Sequence, residues 1–308
     1  MRVLVAGVGA VGSVYLAFLT RAGYKAYGLV KRGRKIDGIA VEGLWGSFYQ
    51  PVKTVESVEE LDEPPELVVV AVKAYDTRKL LTDLKPSLPD GTLIFIAQNG
   101  YGNYETAVEL FGEGRVILSR VIFGAKRPEP GRVRVTVCAD DVVMGDPSGR
   151  LDEGFLRELA RLFSSAGIPT RYEPRVEAYL WDKIVYNAAL NPLGALMEAT
   201  YGQVVDDGDA RRLVERVIDE AYEVIKAYGF DALAPDAGSY RERFFSKLVP
   251  PTRAHYPSML EDLKRGKTEI DALNGALVTL GRKAGLELPV NETLTRLIKA
   301  RERLYSSS

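Results

Sequence analysis

Four apolar residues, Val3-Leu4-Val5-Ala6, run directly into Gly7-Val8-Gly9-Ala10-Val11-Gly12. The run predicts a strand, a tight turn and a helix from about Val11 to Ala22, with a second strand at Ala26–Val30. Each glycine has a physical reason to be there: Gly7 permits the turn, Gly9 lets the backbone approach a pyrophosphate, and Gly12 lets helix and strand pack closely. The N–H groups at the start of that helix suit phosphate oxygens. A glycine-rich turn of an unrelated α/β protein is the alternative. The flanking strand and helix and the strand that follows favour a dinucleotide site.

The end of the second strand decides which dinucleotide. A site for NAD usually has an Asp or Glu there for the ribose hydroxyls, whereas a 2′-phosphate wants positive charge. This chain has Lys31-Arg32-Gly33-Arg34-Lys35, with no carboxylate until Asp37. NADP(H) is therefore expected, with Lys31 and Arg32 as the phosphate contacts. A solvated basic turn is the other reading.

With 308 residues, 46% of them hydrophobic and 27% charged, the chain is long enough for two domains and a substantial core. A formal net charge of −1 gives no reason to expect nucleic acid or an anionic membrane as partner. No apolar stretch approaches the roughly 18–20 residues that span a bilayer, and with no charged n-region followed by a long apolar run ahead of the first strand, a signal peptide is not expected. Cys138 and His255 are the sole cysteine and histidine, so neither an internal disulfide nor a His-based metal cluster is expected. A cytoplasmic, metal-free protein fits these facts.

Buried strands are expected at Leu67–Val72 and Thr92–Ala97, because both are continuous apolar runs of the kind found in parallel sheets. They end at Lys73 and at Gln98-Asn99-Gly100, the edge of an open α/β sheet where ligands bind, so Lys73 and Asn99 are candidates to meet cofactor or substrate. Val116–Phe123, Val133–Val137 and Val142–Met144 read as antiparallel strands finishing the sheet, followed by a helix over Leu151–Ala166 and a strand at Ile168–Tyr172. A boundary near Glu173-Pro174 separates residues 1–172, a Rossmann-type doubly wound α/β domain, from residues 173–308, an all-helical domain. Helical periodicity there covers about Arg175–Met197, Asp209–Tyr228, Gly238–Leu248, Tyr256–Arg265, Asp271–Ala284 and Asn291–Tyr305. The substrate is expected between the domains, and the helical half suggests a homo-oligomer, taken here as a dimer.

Lys183, Asn187 and Asn191 recur at i, i+4 and i+8 on a helix, with the apolar Ile184, Val185, Ala188 and Ala189 as their neighbours. Polar groups on a buried helix need partners, since an unsatisfied buried amide costs about 1–3 kcal/mol. Pro192 removes the hydrogen bond normally made to Ala188. A stripe facing solvent is the alternative. Ser258 stands near a helix start, where it could be an N-cap, Thr268 could cap the helix carrying Asp271, and Glu269 could be a first-turn acid favoured by the helix dipole.

The order of these motifs resembles the ketopantoate reductase (2-dehydropantoate 2-reductase) family, within the larger 6-phosphogluconate-dehydrogenase-like group. The likeness is carried by residues 7–12, Val72-Lys73-Ala74-Tyr75, Gln98-Asn99-Gly100-Tyr101-Gly102, the run from Leu180 to Leu193, and Pro257–Asp262 followed by Thr268–Gly275. The resemblance implies NADPH-dependent reduction of the ketone of 2-dehydropantoate to (R)-pantoate, a step toward pantothenate and coenzyme A. It implies that Lys183 is the proton donor, that Asn187, Asn191 and Ser258 contact substrate, and that Asn99 lies between nicotinamide and substrate. Lys73, Ala125 and Glu269 would lie near the cofactor, Glu269 also reaching the active centre. Tyr201 and His255 stand where some members have Asn. They keep open a reductase of another 2-oxo acid, and a non-catalytic dinucleotide sensor is a further alternative.

Overall fold

The computed structural model describes residues 1–306. The chain forms two compact units, Met1–Asn99 with Asn103–Val176, and Gly100–Gly102 with the chain from Glu177 onward. In the first unit the order is β1 (Arg2–Ala6), α1 (Ala10–Arg21), β2 (Lys25–Leu29), β3 (Gly38–Gly43), β4 (Phe48–Pro51), β5 (Lys53–Val55), β6 (Leu67–Val70) and α2 (Thr77–Leu84). There follow β7 (Leu93–Ile96), α3 (Asn103–Phe111), β8 (Val116–Arg120), β9 (Phe123–Glu129), β10 (Arg132–Cys138), β11 (Val142–Gly145), α4 (Glu153–Ser165) and β12 (Thr170–Tyr172).

Eight strands make one sheet in the order β12-β11-β8-β7-β6-β1-β2-β5. The chain steps outward from β1 through β2 to β5, then returns to pair β6 on the other side of β1. Strand order therefore reverses between β1 and β6, which is where open α/β sheets bind ligands. Alternating side chains explain why both faces are covered. Val3 and Val5 pack with Tyr15, Leu19 and Phe163 on one side, while Leu4 and Ala6 pack with Leu81, Ala107 and Phe111 on the other.

The expectation that the strands after Val116 all finish this sheet is corrected. Val116–Phe123 is two elements: β8 pairs parallel to β7, and Phe123 opens β9 in a second sheet of order β4-β3-β10-β9. Only β11, antiparallel to β8, behaves as expected. The reason is one-sided burial. Val133 and Val135 are buried with Ile39 and Val41 against α1, while Arg132 and Arg134 are exposed, the signature of a sheet with a single apolar face.

The second unit holds α5 (Val176–Met197), α6 (Tyr201–Asp206), α7 (Gly208–Tyr228), α8 (Ala237–Arg243), α9 (Ser258–Lys264), α10 (Asn274–Lys283) and α11 (Pro289–Ser306), and no strand among its described residues. Three helix limits differ from expectation. α8 stops at Arg243 and continues as a wider π turn over Phe244–Leu248, α9 starts two residues late because Pro257 is extended, and a 3-10 turn at Ile270–Ala272 precedes α10. α6 was not anticipated, although Thr200 and Gln203 form a capping box at its start.

Candidate active site

The glycine turn is held against the end of β6. Gly7 has φ +99°, and a Cβ there would lie 2.6 Å from Val72 Cγ1. A Cβ on Gly12 would lie 2.0 Å from the Gly7 carbonyl oxygen, so α1 rests directly on the turn. Gly9 is the N-cap of α1 without a side-chain cap, and no acidic residue enters the first turn. The first N–H groups of α1 thus lack intrahelical partners and meet no carboxylate of their own turn, as an anionic pyrophosphate requires. Arg127, on β9, donates from Nη1 to the Val8 carbonyl at 3.2 Å. The sequence reading missed it because 119 positions separate the two residues.

The basic turn closes by a bond from Arg34 N–H to the Lys31 carbonyl (3.0 Å). Carboxylates absent from the local sequence arrive from elsewhere: Glu56 accepts from Gly33 N–H at 2.9 Å, Glu60 pairs with Lys35 at 2.6 Å, and Asp76 stands 3.8 Å from Lys31. Arg32 and Arg34 are exposed and have no carboxylate partner among the described residues. Of the two cations singled out, Arg32 is the one uncommitted to an acid.

Lys73 is half-buried before the 3-10 turn Ala74–Asp76, and its carbonyl accepts from Asp76 N–H at 2.8 Å. Gln98, buried at the end of β7, donates to the Val72 carbonyl at 2.6 Å and to Thr77 Oγ1 at 2.8 Å. This ties the strand ends carrying Lys73 and Asn99 to each other. Asn99 donates from Nδ2 to the Val121 carbonyl at 2.8 Å, while its Oδ1 is buried without a hydrogen-bond partner among the described residues. Ala125 lies on β9 opposite Val135. The first unit therefore gathers the turn, Lys31, Lys73 and Asn99 at the strand-order reversal, and these groups fit a phosphorylated dinucleotide.

In the second unit the polar stripe lies on α5. Ile184, Val185, Ala188 and Ala189 are fully buried, Lys183 and Asn187 are half-buried, and Asn191 is 4% exposed, which rules out a stripe facing solvent. Lys183 Nζ stands 4.8 Å from the centroid of the Tyr186 ring, a cation–π distance. Tyr201 donates its hydroxyl to Asn191 Oδ1 at 2.8 Å, which leaves the Asn191 NH₂ as the group free to serve another partner. Burial pushes the Tyr186 phenol up to about 12, outweighing its bond with Thr252, and raises Tyr201 further. Both phenols stay neutral, Tyr186 beside the lysine and Tyr201 beside Tyr186. Tyr201 and His255, the two departures noted above, are joined by a bond from Tyr201 N–H to the His255 carbonyl (3.0 Å).

Pro257 packs on α5 at Gly194, where a Cβ would lie 3.0 Å from Pro257 Cγ. Pro257 also occupies the N-cap of α9, which has no side-chain cap bond, so Ser258 is an exposed first-turn residue and not a cap. Thr268 precedes the N-cap position of the 3-10 turn Ile270–Ala272, which is Glu269, but its Oγ1 accepts from Ile270 N–H at 3.2 Å while donating to Glu302. Glu269 is half-buried at the start of that 3-10 turn, whose last carbonyl, on Ala272, accepts from Tyr101 N–H at 2.9 Å. Among the described residues no cluster suited to a metal ion is found, and no helix is long and apolar enough to cross a membrane.

Residues 3–149 match the family described as Ketopantoate reductase PanE/ApbA, and residues 175–302 match Ketopantoate reductase PanE/ApbA C terminal. A 2-dehydropantoate 2-reductase of Aquifex aeolicus is 56% identical over 98% of this chain and 97% of its own length. The solved ketopantoate reductase of Ralstonia eutropha superposes with a TM-score of 0.87 at 27% identity, covering 99% of this chain and all of that one. A D-mandelate dehydrogenase solved with NADH and anilino(oxo)acetate reaches a TM-score of 0.89 over 99% of this chain and 100% of that chain, but at 22% identity it shares the fold alone. With both family regions matched in order over most of its length, the chain belongs to the ketopantoate reductase family.

Proposed function

We propose that this protein reduces the ketone of 2-dehydropantoate to (R)-pantoate with NADPH. The observation that carries the reading is the α5 stripe, one cation and two amides set among the fully buried apolar residues Ile184, Val185, Ala188 and Ala189. NADPH, when bound, supplies the hydride. The oxygen of the ketone gains negative charge as the hydride arrives, and Lys183 Nζ donates the proton that turns it into the alcohol. Asn187, Asn191 and Ser258 supply neutral donors and acceptors for the carboxylate and hydroxyl of the substrate, Asn191 from the NH₂ that its bond to Tyr201 leaves available. Glu269 orients the ammonium and borders the cofactor.

Residues 1–172 form the dinucleotide-binding part in this reading. The turn Gly7-Val8-Gly9-Ala10-Val11-Gly12 holds the pyrophosphate, Lys73, Asn99 and Ala125 border the nicotinamide half, and Arg32 grips the 2′-phosphate in preference to Lys31, which already faces Asp76. Residues 173–308 form the substrate part. The enzyme works in the cytoplasm and as a homodimer, the exposed Met197, Leu297 and Leu304 of the helical unit supporting self-association alone. The test is a steady-state screen following NADPH absorbance with 2-dehydropantoate and with other 2-oxo acids. The highest kcat/KM is expected for 2-dehydropantoate, and a higher value for another 2-oxo acid rejects it as the natural substrate.

A further inference from the structure

Pro192 sits inside the C-terminal part of α5, between Asn191 and Leu193, and the helix runs through it without a break. Proline has no N–H to give to the carbonyl four residues earlier, so the Ala188 carbonyl loses its helical partner. Ala188 is fully buried, so bulk solvent does not reach it. The missing donor comes instead from Asn274, the first residue of α10, whose Nδ2 reaches the Ala188 carbonyl at 3.0 Å. Asn274 is itself completely buried.

The direction of that bond is fixed by a chain of groups leading away from it. Glu220, 1% exposed on α7, accepts from Val290 N–H, Asn291 N–H and Asn291 Nδ2 at 2.9, 2.9 and 2.7 Å, closing the start of α11. A carboxylate accepting in this way requires the Asn291 NH₂ to face it, so Asn291 Oδ1 must face Asn274, which donates to it at 2.9 Å. Turning the Asn274 amide over would set its oxygen against both the Ala188 carbonyl and Asn291 Oδ1. The protein instead tolerates an Asn274 Oδ1 that is buried and without a partner. A buried acceptor is left unmet so that two donors can be aimed at these two oxygens.

We infer that Asn274 is a positioning residue for substrate binding. It replaces the hydrogen bond that Pro192 cannot make and fixes the turn of α5 from which Asn187 and Asn191 project. The inference rests on the reading of those two asparagines as substrate contacts. Asn191 is then held twice, its backbone turn by Asn274 through Ala188 and its side chain by Tyr201.

The test is a cycle of wild type, Asn274→Ala, Pro192→Ala and the double variant, because Pro192→Ala returns a backbone N–H to the same carbonyl. KM and kcat for 2-dehydropantoate, the Kd for NADPH and the thermal midpoint are measured on all four proteins. Asn274→Ala is expected to raise KM for 2-dehydropantoate about tenfold with NADPH affinity changed less than about twofold, and the double variant is expected to return toward Pro192→Ala alone in both KM and thermal midpoint. An unchanged KM in Asn274→Ala, or a double variant as impaired as the sum of the two single ones, overturns the inference. If Asn274→Ala does not fold, the cycle is run with Asn274→Ser, whose shorter side chain keeps the pocket polar but falls short of the carbonyl. Absence of 2-dehydropantoate turnover in the wild type would count against the proposed function and not against this coupling, which the thermal midpoints still decide.

Discussion

Arg32 and Lys31 are neighbours in sequence with the same charge, yet the fold gives them different duties. Asp76 stands by Lys31, and no described carboxylate stands by Arg32. Arg32→Ala is therefore expected to raise the Kd for NADPH by about tenfold or more, the worth of one charge-assisted contact, while leaving the Kd for NADH nearly unchanged. Fluorescence titration with both nucleotides checks it, and an equal loss for both would assign the phosphate elsewhere. The partners that tune this turn, Glu56, Glu60 and Asp76, were not legible in the sequence. They come from segments brought in by β5 and by the turn before α2, and local composition carries no trace of them. The α5 stripe was legible, because i, i+4, i+8 spacing depends only on the helical repeat.

At the scale of elements, long apolar runs announced themselves and short half-buried ones did not. The strands at Leu67–Val70 and Leu93–Ile96, covered on both faces, read as unbroken hydrophobic stretches. The β3–β4 hairpin shows only Ile39 and Val41 alternating with Gly38, Ala40 and Glu42, and its parallel pairing with β10 joins residues some ninety positions apart, as in Ala40 with Arg132. That sheet was missed, and with it the route by which Arg127 reaches the glycine turn. Close packing of α1 at Gly12 is expected from the sequence against a strand, and in the structure the nearest group is the Gly7 carbonyl of the turn. Gly12→Ala places a methyl group against the Gly7 carbonyl, where only backbone movement can relieve it. It is expected to cost about 1–3 kcal/mol of stability and to abolish NADPH binding. Denaturant unfolding and nucleotide titration measure the two effects, and a stable, fully binding variant would show that α1 does not need this close approach.

For the molecule as a whole, one part of acid stability is expected to come from the ionic junction at Asp140. Burial pushes the Asp140 carboxyl up, but hydrogen bonds from Arg171 and Arg120, both 2.8 Å, outweigh it and hold the group at about 2. A carboxyl depressed by folding adds stability that is complete above its unfolded value of about 4 and is lost as pH falls through the folded value. The difference in thermal midpoint between wild type and Asp140→Asn should therefore be constant above about pH 5 and shrink toward pH 2. A difference independent of pH would mean that the charge contributes nothing. Catalysis asks more of the molecule than stability, since a hydride and a proton must both reach one carbonyl in each turnover. The decisive measurement is stopped-flow oxidation of NADPH by 2-dehydropantoate in wild type and Lys183→Ala, with NADPH affinity determined on the same samples. Turnover is predicted to fall at least about 100-fold in the variant while the Kd for NADPH stays within about twofold. A variant that oxidises NADPH at nearly the wild-type rate would contradict the account.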